Sequence, residues 1–105
     1  MNSSPAFSAD SSGPALEVRH NVAASRFEVV QDGHTSICDY RLQAGQMVMN
    51  HTVVPPELGG RGIAAAMVEA ALAWARAEGL RVVPQCSYVA AYMKRHPETQ
   101  DLLAS

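Results

Sequence analysis

The chain has 105 residues, of which 48% are hydrophobic and 17% are charged. This length and composition predict one globular domain with a packed core. Eight Lys and Arg residues against ten Asp and Glu residues give a formal charge of -2. Such a chain lacks the basic surface that non-specific binding to nucleic acid or to an anionic membrane requires, so we expect neither kind of partner.

The spacing of cysteines and histidines predicts no metal site. Cys38 and Cys86 form no CxxC pair, and the four histidines lack the spacing of a zinc site, which also argues against a disulfide framework. The first basic residue is Arg19, so the opening residues lack the charged region of a signal peptide. No apolar run approaches the ~20 residues of a membrane-spanning helix. We therefore expect a cytoplasmic protein.

The first fifteen residues differ in composition from the rest of the chain. They contain five Ser, two Pro and one Gly, with Phe7 as the only large apolar side chain besides Met1. Burial of so little apolar surface does not offset the entropy lost on ordering. The sequence predicts a disordered tail over residues 1–15 and one domain over residues 16–105.

Four short runs of alternating apolar residues follow the tail, and such alternation is typical of half-buried strands. The first and second runs cover residues 16–20 and 27–29, and the third and fourth cover 38–42 and 47–54. Asp32-Gly33 and Ala44-Gly45 separate the later runs, where glycine permits the positive φ of a tight hairpin. We expect an antiparallel meander that ends at Pro55-Pro56.

A helical pattern follows the meander. Apolar residues over 63–75 fall within about half of the helical wheel, and this helix should end near Gly79. Residues 80–86 predict a strand, and Ser87 is a suitable N-cap for a second helix that runs to about Arg95. The order predicts an α+β fold with a mixed sheet. The antiparallel meander is followed by a β-α-β-α unit whose strands pair in parallel through a right-handed crossover.

Three glycines, Gly59, Gly60 and Gly62, lie between the fourth strand and the long helix. Backbone N–H groups and the positive end of the helix dipole converge at such a turn, which favours a phosphate or pyrophosphate ligand. A turn that needs only glycine conformations at a helix entry has the same pattern, so both interpretations remain open. The loop contains neither a Walker motif nor a GxGxxG motif.

The run Val-Pro-Pro-Glu-Leu-Gly-Gly-Arg-Gly-Ile-Ala (residues 54–64) resembles the coenzyme A loop of the GNAT N-acetyltransferase superfamily. His-Thr-Val-Val-Pro (51–55), Val-Val-Pro-Gln-Cys (82–86) and residues 92–98 are similar to its short, single-domain YjdJ-type branch. The resemblance covers residues 16–103. It implies an enzyme that transfers an acetyl group from acetyl-CoA to an amine of a small molecule or a protein.

The resemblance also assigns the residues that bind acetyl-CoA. The pyrophosphate is expected on the backbone amides of the loop, with Val54 and Gly59 beside it. Gly59 departs from the Arg or Gln that is common in larger members, which removes one side-chain contact. The side chain of Arg61 either contacts phosphate or is only solvated. The amides are those of Gly60, Arg61, Gly62, Ile63 and Ala64.

Pro84 supports the same geometry. Because proline has no N–H to donate, the two parallel strands are expected to separate at this residue. In the superfamily the pantetheine arm lies between a splayed pair of strands at this place. The alternative interpretation is a proline on an edge strand.

Acetyl transfer from a thioester needs a neutral amine, donors for the developing oxyanion and an acid for the leaving thiolate. The oxyanion donor is expected among the backbone amides of residues 52–54. Tyr92 aligns with a tyrosine that in many members lies near the CoA sulfur and can protonate it; the alternative is a core aromatic residue. His51 is a candidate base for the acceptor amine. It alternates with Met47 and Met49, so a core or interface histidine is equally consistent.

Cys86 ends the last predicted strand just before a helix, where the helix dipole favours the thiolate. By the resemblance it lies where the splayed strands open onto the thioester, so it either accepts the acetyl group or only lines the pocket. A buried small hydrophobic residue is the alternative. Cys38 alternates with Tyr40 and Leu42, which predicts an inert core thiol.

Two other functions remain open. One is a non-catalytic module that binds CoA or acyl-CoA, and the other is a small interaction domain without a nucleotide ligand. Steady acetylation of an amine distinguishes the enzyme from the module. A thermal shift with acetyl-CoA distinguishes both from the interaction domain.

Overall fold

The computed structural model describes residues 16–104, and the predicted N-terminal tail lies outside these residues. Five strands, two α-helices and two 3-10 segments follow one another in the described chain. The strands are β1 (Arg19–Asn21), β2 (Arg26–Gln31), β3 (His34–Gln43), β4 (Gln46–Val53) and β5 (Arg81–Pro84). The helices are α1 (Ile63–Ala77) and α2 (Ser87–Arg95), and the 3-10 segments are Pro56–Leu58 and Pro97–Leu102.

The strands form one sheet in the order in which they occur in the chain. The pairs from β1 to β4 are antiparallel, and β4 pairs with β5 in parallel across α1. Both residues of each predicted hairpin turn have positive φ, including the non-glycine residues Asp32 and Ala44. This is the type I′ geometry that matches the twist of paired strands. The predicted meander and mixed α+β sheet are confirmed.

One extra residue in β4 changes which side chains face the core. Asp39 pairs with His51 and Tyr40 pairs with Met49, so Asn50 is a bulge without a partner on β3. Met49 is buried before the bulge, whereas the His51 side chain is 60% exposed after it. The alternation that placed His51 with the core methionines therefore fails, because a bulge shifts a strand by half its period.

The parallel strands separate as predicted, but Pro84 is not the cause. Pairing ends at Met49 and Pro84, while β4 continues to Val53. The Val82 carbonyl accepts a hydrogen bond from Ala104 on the outer side of β5, so Pro84, two residues later, also faces away from β4. Pro84 is an edge-strand proline.

The chain turns at the end of β5 instead. The Gln85 N–H donates to the Val83 carbonyl in a tight turn, and the Cys86 N–H donates to the Met49 carbonyl. The predicted strand over residues 80–86 therefore stops at Pro84. Cys86, rather than Ser87, is the N-cap of α2.

Both helices pack on one face of the sheet. Their buried residues share one core with the inward side chains of β2 to β5. In the described chain the opposite face carries charged and polar side chains, including Arg26, Glu28, Asp39 and His51. The core consists of Phe27, Val29, Cys38, Tyr40, Met47, Met49, Leu58, Ile63, Met67, Val68, Ala71, Leu72, Ala75, Val82, Val89, Tyr92, Met93 and Leu102.

The C-terminal segment covers the free edge of β5. Leu103 forms a parallel bridge with Val82, and Leu102 is buried. The guanidinium of Arg76 on α1 makes two hydrogen bonds to the Asp101 carboxylate, at 2.8 and 3.0 Å. Neither helix of the described chain is long and apolar enough to cross a membrane.

Candidate active site

The glycine loop joins the end of β4 to the first turn of α1. Leu58 is fully buried and anchors the preceding 3-10 turn. Gly60 and Gly62 have φ of +78° and +77°, and Gly62 is the left-handed N-cap of α1. A Cβ at either position would contact no protein atom within 4 Å. Both glycines therefore adopt a backbone conformation that other residues rarely adopt, and no side chain fills the space above the loop.

Several backbone N–H groups of this loop have no acceptor in the described protein. The first hydrogen bond of the helix runs from the Ala66 N–H to the Gly62 carbonyl. Within residues 16–104, none of the N–H groups of residues 60–65 donates to a protein acceptor. Unpaired N–H groups at the positive end of a helix dipole bind anions such as a pyrophosphate.

The side chain of Arg61 connects the glycine loop to a neighbouring hairpin. Its guanidinium donates to the Asp32 carboxylate at 2.9 Å and to the Gln31 side-chain oxygen at 3.1 Å. Both partners lie in the hairpin between β2 and β3. The Arg61 side chain is thus directed away from the open space, and the loop is fastened to the hairpin.

A groove of about 250 Å³ lies between the glycine loop and the start of α2. Tyr88, in the first turn of α2, forms its far wall, and Val54 lies at the end where β4 leaves the sheet. The groove is lined by six of the predicted ligand residues, namely Val54, Gly59, Gly60, Gly62, Ile63 and Ala64. Its remaining lining residues are Pro55, Pro56, Leu58, Ala65 and Tyr88.

Cys86 lies where β4 and β5 separate. Its thiol donates to the Thr52 hydroxyl oxygen at 3.5 Å. The Thr52 hydroxyl in turn donates to the Cys38 sulfur at 3.9 Å. The Asn50 bulge makes this cluster, because it turns Thr52 toward the helices and toward both thiols.

The surroundings of Cys86 favour its thiolate. Partial burial opposes ionisation, but hydrogen bonding with the Thr52 hydroxyl and with backbone groups of Val89, Tyr88 and Thr52 outweighs it, so the pKa of Cys86 is lowered. Only a donor stabilises a thiolate, so these backbone groups are N–H groups. Two of them belong to the first turn of α2, as expected for a cysteine at a helix N-cap.

Cys38 differs from Cys86, because its surroundings disfavour the thiolate. It is 1% exposed, and burial raises the pKa of its thiol to about 11. The Cys38 thiol is therefore neutral at physiological pH. Its sulfur nevertheless shares the Thr52 hydroxyl with Cys86.

His51 lies on the sheet face opposite Thr52 and Cys86. Its Nδ1 is 3.6 Å from a carboxylate oxygen of Asp39, and Arg26 donates to the other oxygen at 3.2 Å. Successive residues of β4 thus present an imidazole on the open face and a hydroxyl on the helix face.

Tyr92 lines a different cleft. Its ring stacks on His96 with centroids 3.9 Å apart, and it faces Glu69 and Glu98 between α1 and the C-terminal 3-10 segment. Burial, together with these two carboxylates, raises the pKa of Tyr92. The structure brings Cys86 and Thr52 together, and it places Tyr88 rather than Tyr92 beside the glycine loop.

Two residues of this region were not singled out from the sequence, namely Tyr88 and the side chain of Thr52. Tyr88 and Tyr92 are one helical turn apart, so periodicity alone does not separate them. The bulge that directs Thr52 inward leaves no signal in the alternation. Within the described residues, no three His, Cys, Asp or Glu side chains are grouped as metal ligands.

Comparisons with known proteins agree with this geometry. Residues 26–102 match the model of a family described as GCN5-related N-acetyl-transferase. The fold is similar to the solution NMR structure of a GCN5-like protein from Staphylococcus aureus, with a TM-score of 0.69 and 24% sequence identity. That match covers 86% of this chain and 89% of the other chain. The chain therefore belongs to the GCN5-related N-acetyltransferase family and is an acetyltransferase of that family.

Proposed function

We propose that the protein transfers the acetyl group of acetyl-CoA to a primary amine of a small molecule or a protein. The observation that carries this proposal is the position of Cys86, whose surroundings stabilise its thiolate, at the point where β4 and β5 separate. Two residues further along the chain, Tyr88 lines a groove that the glycine loop also lines, and the N–H groups of residues 60–65 have no acceptor in the described protein. A reducing cytoplasm, which the cysteine spacing favours, would keep that thiol available.

Acetyl-CoA fits this arrangement as a substrate. Its pyrophosphate would accept hydrogen bonds from the N–H groups of residues 60–64, and the positive φ of Gly60 and Gly62 allows a close approach. The pantetheine arm would follow the groove past Val54 and Tyr88. The thioester would then reach the space between β4 and β5.

Cys86 is the proposed nucleophile. Its thiolate attacks the carbonyl carbon of acetyl-CoA, the C–S bond to CoA breaks, and CoA leaves as a thiolate that takes up a proton. The products of this step are S-acetyl-Cys86 and CoA. A neutral amine then attacks the acetyl carbon, a C–N bond forms, the Cys86 thiolate leaves, and a base takes the surplus proton of the amine.

His51 is the proposed base for that amine. It is exposed on the open sheet face, next in sequence to Thr52, and Asp39 lies within 3.6 Å of its Nδ1. Because the imidazole and the Cys86 thiol lie on opposite faces of the sheet, this role requires the amine to reach the acetyl group through the opening between β4 and β5. The proton for the leaving CoA thiolate is assigned to Tyr92, as the family resemblance implies, and this assignment is tested below against Tyr88.

The decisive experiment is mass spectrometry after mixing the protein with acetyl-CoA without an acceptor. We expect one acetyl adduct, which Cys86→Ala abolishes and Cys38→Ala retains. CoA release with a panel of amines then measures turnover. A Cys86→Ala variant with the wild-type rate would rule out the covalent route and favour direct attack. Binding of acetyl-CoA with neither adduct nor turnover would identify a CoA-binding module.

A further inference from the structure

We propose that Thr52 is a positioning residue whose hydroxyl sets the reactivity of Cys86 by turning between the two sulfur atoms. This inference rests on the proposed role of Cys86, but it concerns a property of the thiol that is measurable without acetyl-CoA. The Thr52 oxygen lies 3.5 Å from the Cys86 sulfur and 3.9 Å from the Cys38 sulfur.

A hydroxyl in this position has one hydrogen and two sulfur neighbours. While Cys86 is a thiol, its S–H donates to the Thr52 oxygen, and the Thr52 hydrogen points to Cys38. When the Cys86 proton leaves to solvent or to a base, the oxygen loses that donor. The Thr52 hydrogen then turns to the Cys86 thiolate, because a hydrogen bond to a charged acceptor is stronger than one to a neutral sulfur.

The other groups around Cys86 do not replace the Thr52 hydroxyl as a side-chain hydrogen-bond donor to the Cys86 thiolate. From β3 the titratable neighbour is Cys38, which stays neutral because burial raises its pKa to about 11. From α2 the neighbours are the backbone groups of Tyr88 and Val89, which every Thr52 variant retains. Asp39 and His51 pair with each other on the opposite face of the sheet. The Thr52 hydroxyl is therefore the side-chain donor that a substitution can remove selectively.

The test is the rate of Cys86 alkylation by iodoacetamide as a function of pH, followed by peptide mass mapping. Thr52→Val keeps the shape of the side chain and removes the hydroxyl. We expect its alkylation midpoint to move to higher pH and its rate at pH 7 to fall about tenfold or more, in keeping with one hydrogen bond to a charged group. Thr52→Ser should restore the wild-type profile.

Two further variants make the test specific. Ser87→Ala removes the hydroxyl of an exposed neighbouring residue at the start of α2, and it should leave the profile unchanged. Cys38→Ala removes the competing sulfur, and it should move the midpoint to lower pH or leave it in place. If Thr52→Val does not fold, Thr52→Ala with its smaller side chain supplies the same comparison.

The results separate this inference from the proposed function. A wild-type alkylation profile in folded Thr52→Val, or in Thr52→Ala, overturns the role of the hydroxyl even if Cys86 forms an acetyl adduct. A raised midpoint that Thr52→Ser restores supports the role even if acetyl-CoA leaves no adduct.

Discussion

The N-cap glycine of α1 is a residue at which a stability effect and a ligand effect can be separated. Gly62 has φ of +77° with open space above it, and Gly45, in the hairpin between β3 and β4, has the same φ and the same open space. Alanine at either position should therefore cost a similar free energy of unfolding, about 1 kcal/mol. Only Gly62 adjoins the proposed pyrophosphate.

We expect Gly62→Ala to lower acetyl-CoA affinity at least tenfold, whereas Gly45→Ala keeps wild-type affinity. Calorimetric titration with acetyl-CoA, together with urea unfolding, measures both quantities. Equal affinities in two folded variants would contradict pyrophosphate binding at the loop.

The two tyrosines of α2 call for a paired substitution. Tyr92→Phe should lower kcat more than it lowers acetyl-CoA affinity if its hydroxyl protonates the leaving CoA thiolate, because an acid acts mainly in the transition state. Tyr88→Phe is the matched comparison, since Tyr88 lines the glycine-loop groove and Tyr92 lines the cleft beside α1. Loss of turnover in Tyr88→Phe alone would transfer the acid role to Tyr88.

Ser36 carries a hydroxyl that the fold leaves without a partner. It is fully buried on β3, opposite Val29 on β2, and no described group bonds to its oxygen. Ser36→Ala should leave the free energy of unfolding unchanged or raise it by about 1 kcal/mol, because it removes a desolvated polar group. Val29→Thr adds a hydroxyl beside it and should cost about 1–3 kcal/mol in urea unfolding. Marked destabilisation of Ser36→Ala would show that the hydroxyl is satisfied in solution.

At the scale of elements, an aromatic cluster joins β1 to the remainder of the sheet and to α1. His20 stacks on Phe27 at 4.0 Å, meets Trp74 edge-on at 4.6 Å, and hydrogen-bonds the Tyr40 hydroxyl at 2.7 Å. Burial among these rings lowers the pKa of His20 below its ordinary value of about 6.5. The folded protein therefore favours the neutral imidazole.

The sign of the pH dependence follows from this shift. Below about pH 6.5 the unfolded chain takes up the His20 proton before the folded chain does, so the free energy of unfolding falls as the pH falls. Above that pH both states are neutral at His20, and this contribution is fully present. Urea unfolding at pH 5 and pH 7.5 measures the loss, and His20→Gln should show a smaller one. An equal loss in the variant would assign the effect to other groups.

The sequence predicted the elements better than the site. Alternation and glycine positions predicted the meander, and the helical period predicted α1 nearly to its ends. The Asn50 bulge was missed, because the residue types around it do not mark the position of a bulge. The partners of Arg61 were missed because Asp32 lies twenty-nine positions away and approaches only in the folded chain.

At the scale of the whole molecule, the C-terminal 3-10 segment and Leu103 cover the outer edge of β5, the last strand. Leu102 is 6% exposed and Leu103 is 36% exposed, although both lie beside β5. Leu102→Ala should cost about 2–4 kcal/mol in the free energy of unfolding because it leaves a cavity in the core. Leu103→Ala should cost less than about 1 kcal/mol. Thermal and urea unfolding compare the two, and equal effects would show that the segment does not dock as described.

The bulge in β4 makes the faces of residues 51–53 depend on strand pairing as well as on sequence. Removing Asn50 would leave Met49 opposite Tyr40 and His51 opposite Asp39, so the strand would become regular with its faces unchanged. If Asn50 were instead paired with Asp39 in a regular ladder, residues 51–53 would move by half a strand period. The imidazole of His51 would then enter the core beside Cys38, and the hydroxyl of Thr52 would face solvent. The chemistry of this segment thus depends on the position at which the ladder skips a residue, and any alignment or redesign of β4 has to number its faces separately on the two sides of Asn50.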